Sequence, residues 1–146
     1  MVADSIQDTE ESPTFGEGFC GPGAVGAVLF LIAAPVHLLV PHQISVAIAA
    51  VTLALIGGAY IGFGATANSL KRFLAELAVA VLFAATAVTG LLWTPLALPL
   101  GLAAHAAWDL LHHNDVFGAP VPRCYIPFCV VFELLAAAFL FVLYVP

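Results

Sequence analysis

Residues 105–113 read His-Ala-Ala-Trp-Asp-Leu-Leu-His-His and close an apolar stretch long enough to cross a membrane. On one helix, His105, Asp109, His112 and His113 stand at offsets of 0, 4, 7 and 8 residues. At about 100° per residue these side chains share one face roughly 100° wide. Imidazoles and carboxylates in this pattern are ligands for zinc, iron or manganese. They are also the groups from which proton and metal-ion relays are made inside membranes. Each ionisable group in a bilayer costs on the order of 3 kcal/mol or more unless it is paired, hydrated or metal-bound. A cluster of four therefore requires a partner or a function.

The elements that position the cluster are predicted to be membrane helices. The chain has 146 residues, of which 63% are hydrophobic and 8% charged, and its mean hydropathy is +1.11. A soluble domain carries about 25% charged residues, so lipid must replace water over most of this surface. Long Ala- and Leu-rich runs without period-two alternation exclude a membrane β-barrel and specify an all-α, polytopic helix bundle. Residues 1–22 are polar, hold five of the nine acids and are punctuated by Pro13, Gly16, Gly18, Gly21 and Pro22. They are expected to form an acidic, flexible cytoplasmic tail ahead of a transmembrane domain over 23–146. Five apolar segments follow, at about 23–40, 44–67, 71–93, 95–113 and 125–145. Each is near the ~20 residues that a span needs, the first and fourth being the shortest. About five transmembrane helices are predicted, or four if the first lies shallow. No cleavable signal peptide is expected, because the N-terminus is acidic where a signal would be basic.

With five spans, Lys71, Arg72 and Arg123 all fall on the side of the N-terminal tail. The positive-inside rule then places the N-terminus in the cytoplasm, here across the cell inner membrane. Three basic residues in the whole chain give nothing for nucleic acid to bind. Gly58 and Gly62 form a small-xxx-small pair that would allow close helix approach. The three cysteines, Cys20, Cys124 and Cys129, have no CxxC spacing and read as small packing residues.

Depth joins the remaining polar residues to the cluster. Counted from the cytoplasmic end of each span at about 1.5 Å per residue, Tyr60, Glu76, His105, Asp109, His112, His113 and Glu133 occupy one slab roughly 2–14 Å below a single interface. The slab draws on four helices and contains three carboxylates and three imidazoles. Such a set suits one or two divalent transition ions, zinc or iron, in the manner of carboxylate-bridged bundles. His105, Asp109 and His112 form the expected core, with Glu76 and Glu133 completing it and His113 as a further candidate ligand. Glu76, Asp109, Glu133 and Tyr60 are the candidate catalytic groups, with Glu76 or Glu133 as general base. A purely structural account of the same residues has His112 and His113 capping helix carbonyls, Asp109 and His105 as a buried pair, and Glu76 paired with Lys71 or Arg72. Trp93 and Trp108 read as interfacial or packing aromatics, and His37 and His42 as surface histidines of the outer leaflet. Ser5, Ser12, Ser45 and Ser69 show no partner base, and GxSxG, P-loop and GxGxxG motifs are lacking.

The chain resembles a family of small, uncharacterised bacterial membrane proteins, the domain of unknown function 6010 family. The resemblance lies in Ala59-Tyr60 followed by Gly62 and Gly64, in Glu76 on the next span, in the run His105-x-x-Trp108-Asp109-x-x-His112-His113, and in Glu133 near the start of the last span. It covers roughly residues 45–135. It implies a short all-helical membrane protein, and cysteines near the last acid, where this chain has Cys124 and Cys129. It carries no activity with it.

Three functions compete at this point. The first is an integral-membrane metalloenzyme in which metal-activated water hydrolyses, or iron oxidises, a lipid-like or other hydrophobic small molecule. Membrane lipid is the expected surrounding partner, and self-association is open. The second is a proton- or metal-ion transport or sensing module built on the same cluster. The third is a haem- or pigment-binding membrane protein using His105.

Overall fold

A computed structural model describes residues 15–113 and 118–145, with side chains described from residue 21 onward. Five helices follow one another: α1 (Phe15–Leu39), α2 (His42–Thr66), α3 (Leu70–Leu92), α4 (Ala97–His112) and α5 (Tyr125–Tyr144). The all-α expectation holds, and no strand occurs among the described residues. Four helices, α1, α2, α3 and α5, are long and apolar enough to cross a membrane. The fourth is the short one: 16 residues at 1.5 Å each reach about 24 Å against roughly 30 Å of hydrocarbon. Residues 1–14, most of the expected flexible tail, lie outside the described residues. The helix α1 already begins at Phe15 and carries Pro22 inside it, so the chain is helical ahead of Gly23.

Local chemistry sets the helix boundaries. Pro41, at φ −56° and ψ 146°, stands as the N-cap of α2 and ends the α1 path. Asn68 takes a left-handed backbone with φ 47°. Ser69 then caps α3, accepting from the Arg72 N–H at 3.4 Å. Pro99 and Pro127 each lie at the third position of α4 and α5. A first-turn amide has no intrahelical acceptor, so proline costs no hydrogen bond there. Inside the spans, the Thr52, Thr86 and Thr89 hydroxyls donate to the carbonyls of Ile48, Leu82 and Ala85, each at 2.9 Å. Each hydroxyl is thereby satisfied where no water is available.

Packing follows the membrane rule that small residues let backbones approach. The core around Leu53, Leu98 and Leu102 is filled in by Ala49, Ala50, Ala87, Ala136 and Ala137. The helix α2 packs chiefly on α3, α4 on α5, and α1 on α5. Leucine, valine and isoleucine side chains on every helix are left facing outward, as lipid contact requires. Trp93 at the α3 C-cap is 74% exposed, as an interfacial aromatic would be.

The glycine expectation is corrected. Added Cβ atoms at Gly58 and Gly62 meet nothing within 4 Å. The close approaches are instead at Gly57, where a Cβ would lie 2.9 Å from the Phe83 Cβ, and at Gly64, where it would lie 3.1 Å from the Glu76 Cβ. Both face α3, whereas the 58/62 pair points off that interface. Gly57→Ala should therefore destabilise the bundle by about 1–3 kcal/mol through overpacking. Gly62→Ala should be neutral or stabilising by up to about 1 kcal/mol through helix propensity. Melting of the two variants in the same detergent checks the contrast, and equal melting temperatures would contradict the placement of these faces.

Candidate metal centre

Four helices deliver the polar residues to one end of the bundle. Tyr60 comes from the second half of α2, Glu76 from the second turn of α3, His105, Asp109 and His112 from α4, and Glu133 from the first half of α5. Glu76, His105, Asp109, His112 and Glu133 are each 0% exposed, and Tyr60 is 1% exposed. Depth therefore gathers the residues named from sequence, but the rotation of each helix sorts them into two groups.

The first group is His105, Asp109 and Glu133, each offering a ligand atom within 4.8 Å of the others. His105 Nδ1 lies 3.1 Å from Glu133 Oε2 and 3.3 Å from Asp109 Oδ1. One ring N–H serves two carboxylate oxygens poorly. Ligands at 2.0–2.2 Å in tetrahedral array stand roughly 3.3–3.6 Å apart; the His105–Asp109 pair reaches the lower edge of that range and the His105–Glu133 pair falls 0.2 Å short of it. Tyr60 donates its hydroxyl to Asp109 Oδ1 at 2.6 Å, which fixes that carboxylate from the second helix. His105 Nε2, Asp109 Oδ2 and Glu133 Oε1 are buried without a hydrogen-bond partner. Buried polar atoms are seldom left so, and the unpartnered carboxylate oxygens of the triad could hold a cation.

The second group is His112 with Glu76. Nδ1 of His112 faces the Trp108 carbonyl at 3.0 Å, so this nitrogen carries a proton and donates it. Nε2 lies 2.9 Å from Glu76 Oε1, and the same oxygen accepts the Ala119 N–H at 2.9 Å. The pair is therefore satisfied as it stands, apart from Glu76 Oε2, which has no partner. Glu76 is thus held by His112 and the Ala119 amide, not by Lys71 or Arg72. His112, expected in the ligand core, stands with Glu76 and is replaced there by Glu133. His113 is the C-cap of α4, in extended backbone at φ −63° and ψ 129°, and is half-buried. It is not one of the three residues at ligand spacing. Rings knit the two groups together: Tyr60 stands 5.5 Å from the His105 ring and 4.9 Å from the His112 ring. Trp108 packs on His112 at 4.8 Å.

The loop before α5 closes the site and had not been singled out from sequence. Gly118, at φ +77°, brings backbone so close that a Cβ there would collide with His112 Nε2 and stand 2.6 Å from Glu76 Oε1. A glycine between two apolar segments is a visible turn signal, but nothing in sequence says that it packs on Glu76. Of the cysteines, Cys129 is buried on α5 and fits the packing role, Cys124 is exposed, and the Cys20 side chain lies outside the described residues.

Comparison with known proteins places the chain in a family. The profile of the Family of unknown function (DUF6010) matches residues 22–144, a span that includes all residues of both groups, and the chain belongs to that family. No curated protein and no solved structure matches it.

Gly118→Ala should lower stability by at least about 1 kcal/mol, because the left-handed backbone alone costs a Cβ-bearing residue that much. The collision with His112 adds to the loss. The melting temperature of the variant measures it; an unchanged value would mean that this backbone does not roof the Glu76–His112 pair.

Proposed function

We propose that this DUF6010 protein is an integral-membrane metalloenzyme. His105, Asp109 and Glu133 hold one divalent transition ion, zinc or iron, and the centre acts on a lipid-like or other hydrophobic substrate. Charge carries the proposal. With both acids ionised and the imidazole neutral, the three would sum to −2 among side chains with no exposed surface, and a dication would bring that sum to zero. Histidine with two carboxylates is a donor set that suits zinc or iron.

A bound dication would polarise a water or a substrate oxygen and so favour hydrolysis or, for iron, oxidation. The protein's own residues do the rest. Tyr60 orients Asp109. The Glu76–His112 pair stands beside Tyr60, with Glu76 Oε2 as the oxygen that has no hydrogen-bond partner. Burial within apolar helices favours a substrate that reaches the site from lipid. Lys71 and Arg72 begin α3 near Glu76, and Arg123 precedes α5. By the positive-inside rule that end, and with it the N-terminus, lies in the cytoplasm, in the inner membrane.

Transport by the same cluster is the lesser reading. A relay needs polar groups along the whole bilayer. Beyond the site towards the α2 N-terminus, the bundle is filled by Leu53, Phe83, Leu98, Leu102 and Leu140.

Elemental analysis of detergent-purified protein should give stoichiometric zinc or iron. His105→Ala, Asp109→Asn and Glu133→Gln should lose it, and Glu76→Gln should keep it. Metal removal should lower the melting temperature of the wild type, by linkage equivalent to about 3–4 kcal/mol at saturating metal, and leave His105→Ala unchanged. Equal melting temperatures with and without metal, after verified removal, would contradict the proposal.

A further inference from the structure

A second polar group lies at the other end of the bundle. His37 Nδ1 is 2.8 Å from Ser45 Oγ, and Ser45 Oγ is 2.8 Å from the Tyr144 hydroxyl. The chain joins α1, α2 and α5. Ser45 is 1% exposed and Tyr144 7% exposed, while His37 is half-buried with its ring edge-on to Phe139. This corrects the two expectations that His37 is a surface histidine and that Ser45 lacks a partner base. The group is remote from the metal-binding residues: Tyr144 is eleven residues beyond Glu133 on α5, about 16 Å along the axis.

His37 also lines a partly open cavity of about 130 Å³ walled by α1, α2 and α5 together with Leu102 of α4. Phe30, Ala33, Ala136 and Phe139 make up much of the wall, and no Asp, Glu, Lys or Arg is part of it. Thr52 is the other polar lining residue, but its hydroxyl is spent on the Ile48 carbonyl. The size is informative. An apolar cavity of roughly 150 Å³ stays dry and holds a benzene-sized guest. A charged guest is excluded, because nothing in the wall would compensate it. Nδ1 of His37 is engaged by Ser45, which Tyr144 holds in turn, so Nε2 is the ring nitrogen outside that chain.

We propose that this cavity is a second binding site, for an uncharged, lipid-soluble molecule with a ring-sized apolar body and one hydrogen-bonding oxygen, which His37 engages. Ser45 and Tyr144 are positioning residues that fix the imidazole. The site does not depend on metal at His105, Asp109 and Glu133.

Fluorine NMR of 4-fluorophenol and fluorobenzene with the full chain in lipid nanodiscs, corrected for partition into empty nanodiscs, tests this. Wild type should bind the phenol about tenfold more tightly than the hydrocarbon, the weight of one hydrogen bond. His37→Phe keeps the ring but not the nitrogen, and should remove that preference while leaving fluorobenzene binding unchanged. Ala33→Leu should weaken both by filling the cavity. Ser45→Ala leaves the lining intact and should reduce the preference in part, which keeps the test open if His37→Phe does not fold. Equal binding of the two probes to wild type would overturn the proposal, as would binding of both that Ala33→Leu leaves unchanged.

Discussion

Carboxylates buried between apolar helices have no water to solvate them, and everything distinctive in this structure answers to that fact. Glu76, Asp109 and Glu133 are fully buried, and each must be neutralised by something close at hand. Glu76 has its answer within the protein: the His112 ring and the Ala119 amide. Among the described residues, Asp109 and Glu133 share one imidazole nitrogen, the Tyr60 hydroxyl donates to Asp109 as well, and each keeps an oxygen without a hydrogen-bond partner. The difference between a carboxylate held by an imidazole and a backbone amide and two carboxylates that share one imidazole nitrogen separates the two halves of the cluster, and only the second could hold a metal ion. Removing one partner from a buried ionic group is costly, so the two halves are expected to tolerate substitution differently.

The fold serves this constraint by bringing backbone close where side chains must meet. Gly64 lets α3 approach so that Glu76 sits against α2, and Gly118 lets the loop lie directly over His112. Alanines fill the core further along, and an apolar layer separates the polar groups at the two ends. That layer is the reason a continuous proton path is disfavoured and two independent sites are favoured.

Much of this was legible in the sequence. Composition and run length specify membrane helices. The spacing of His105, Asp109 and His112 puts them on one face, and counting residues from the basic loops brings Tyr60, Glu76 and Glu133 to the same depth. Depth is a coordinate along the helix axis; it says nothing about rotation about that axis. For that reason the partition of the cluster, with Glu133 beside His105 and His112 beside Glu76, was not readable. Nor was the fact that Gly57 and Gly64, in place of Gly58 and Gly62, face α3. Ser45 and His37 stand eight residues apart across a helix break at Pro41, and Tyr144 lies 99 residues beyond Ser45. Only the packing of α1 and α2 on α5 unites them. The Ala119 amide was invisible for a different reason, since a backbone donor has no residue type to betray it.

X-ray absorption at the metal edge of the purified protein addresses the central claim most directly, because it reads the first coordination shell itself. A centre built on His105, Asp109 and Glu133 predicts nitrogen and oxygen scatterers alone at roughly 2.0–2.2 Å, with the outer-shell signature of a single imidazole. Two or more imidazoles, or a sulfur scatterer from a cysteine such as Cys129, would contradict it.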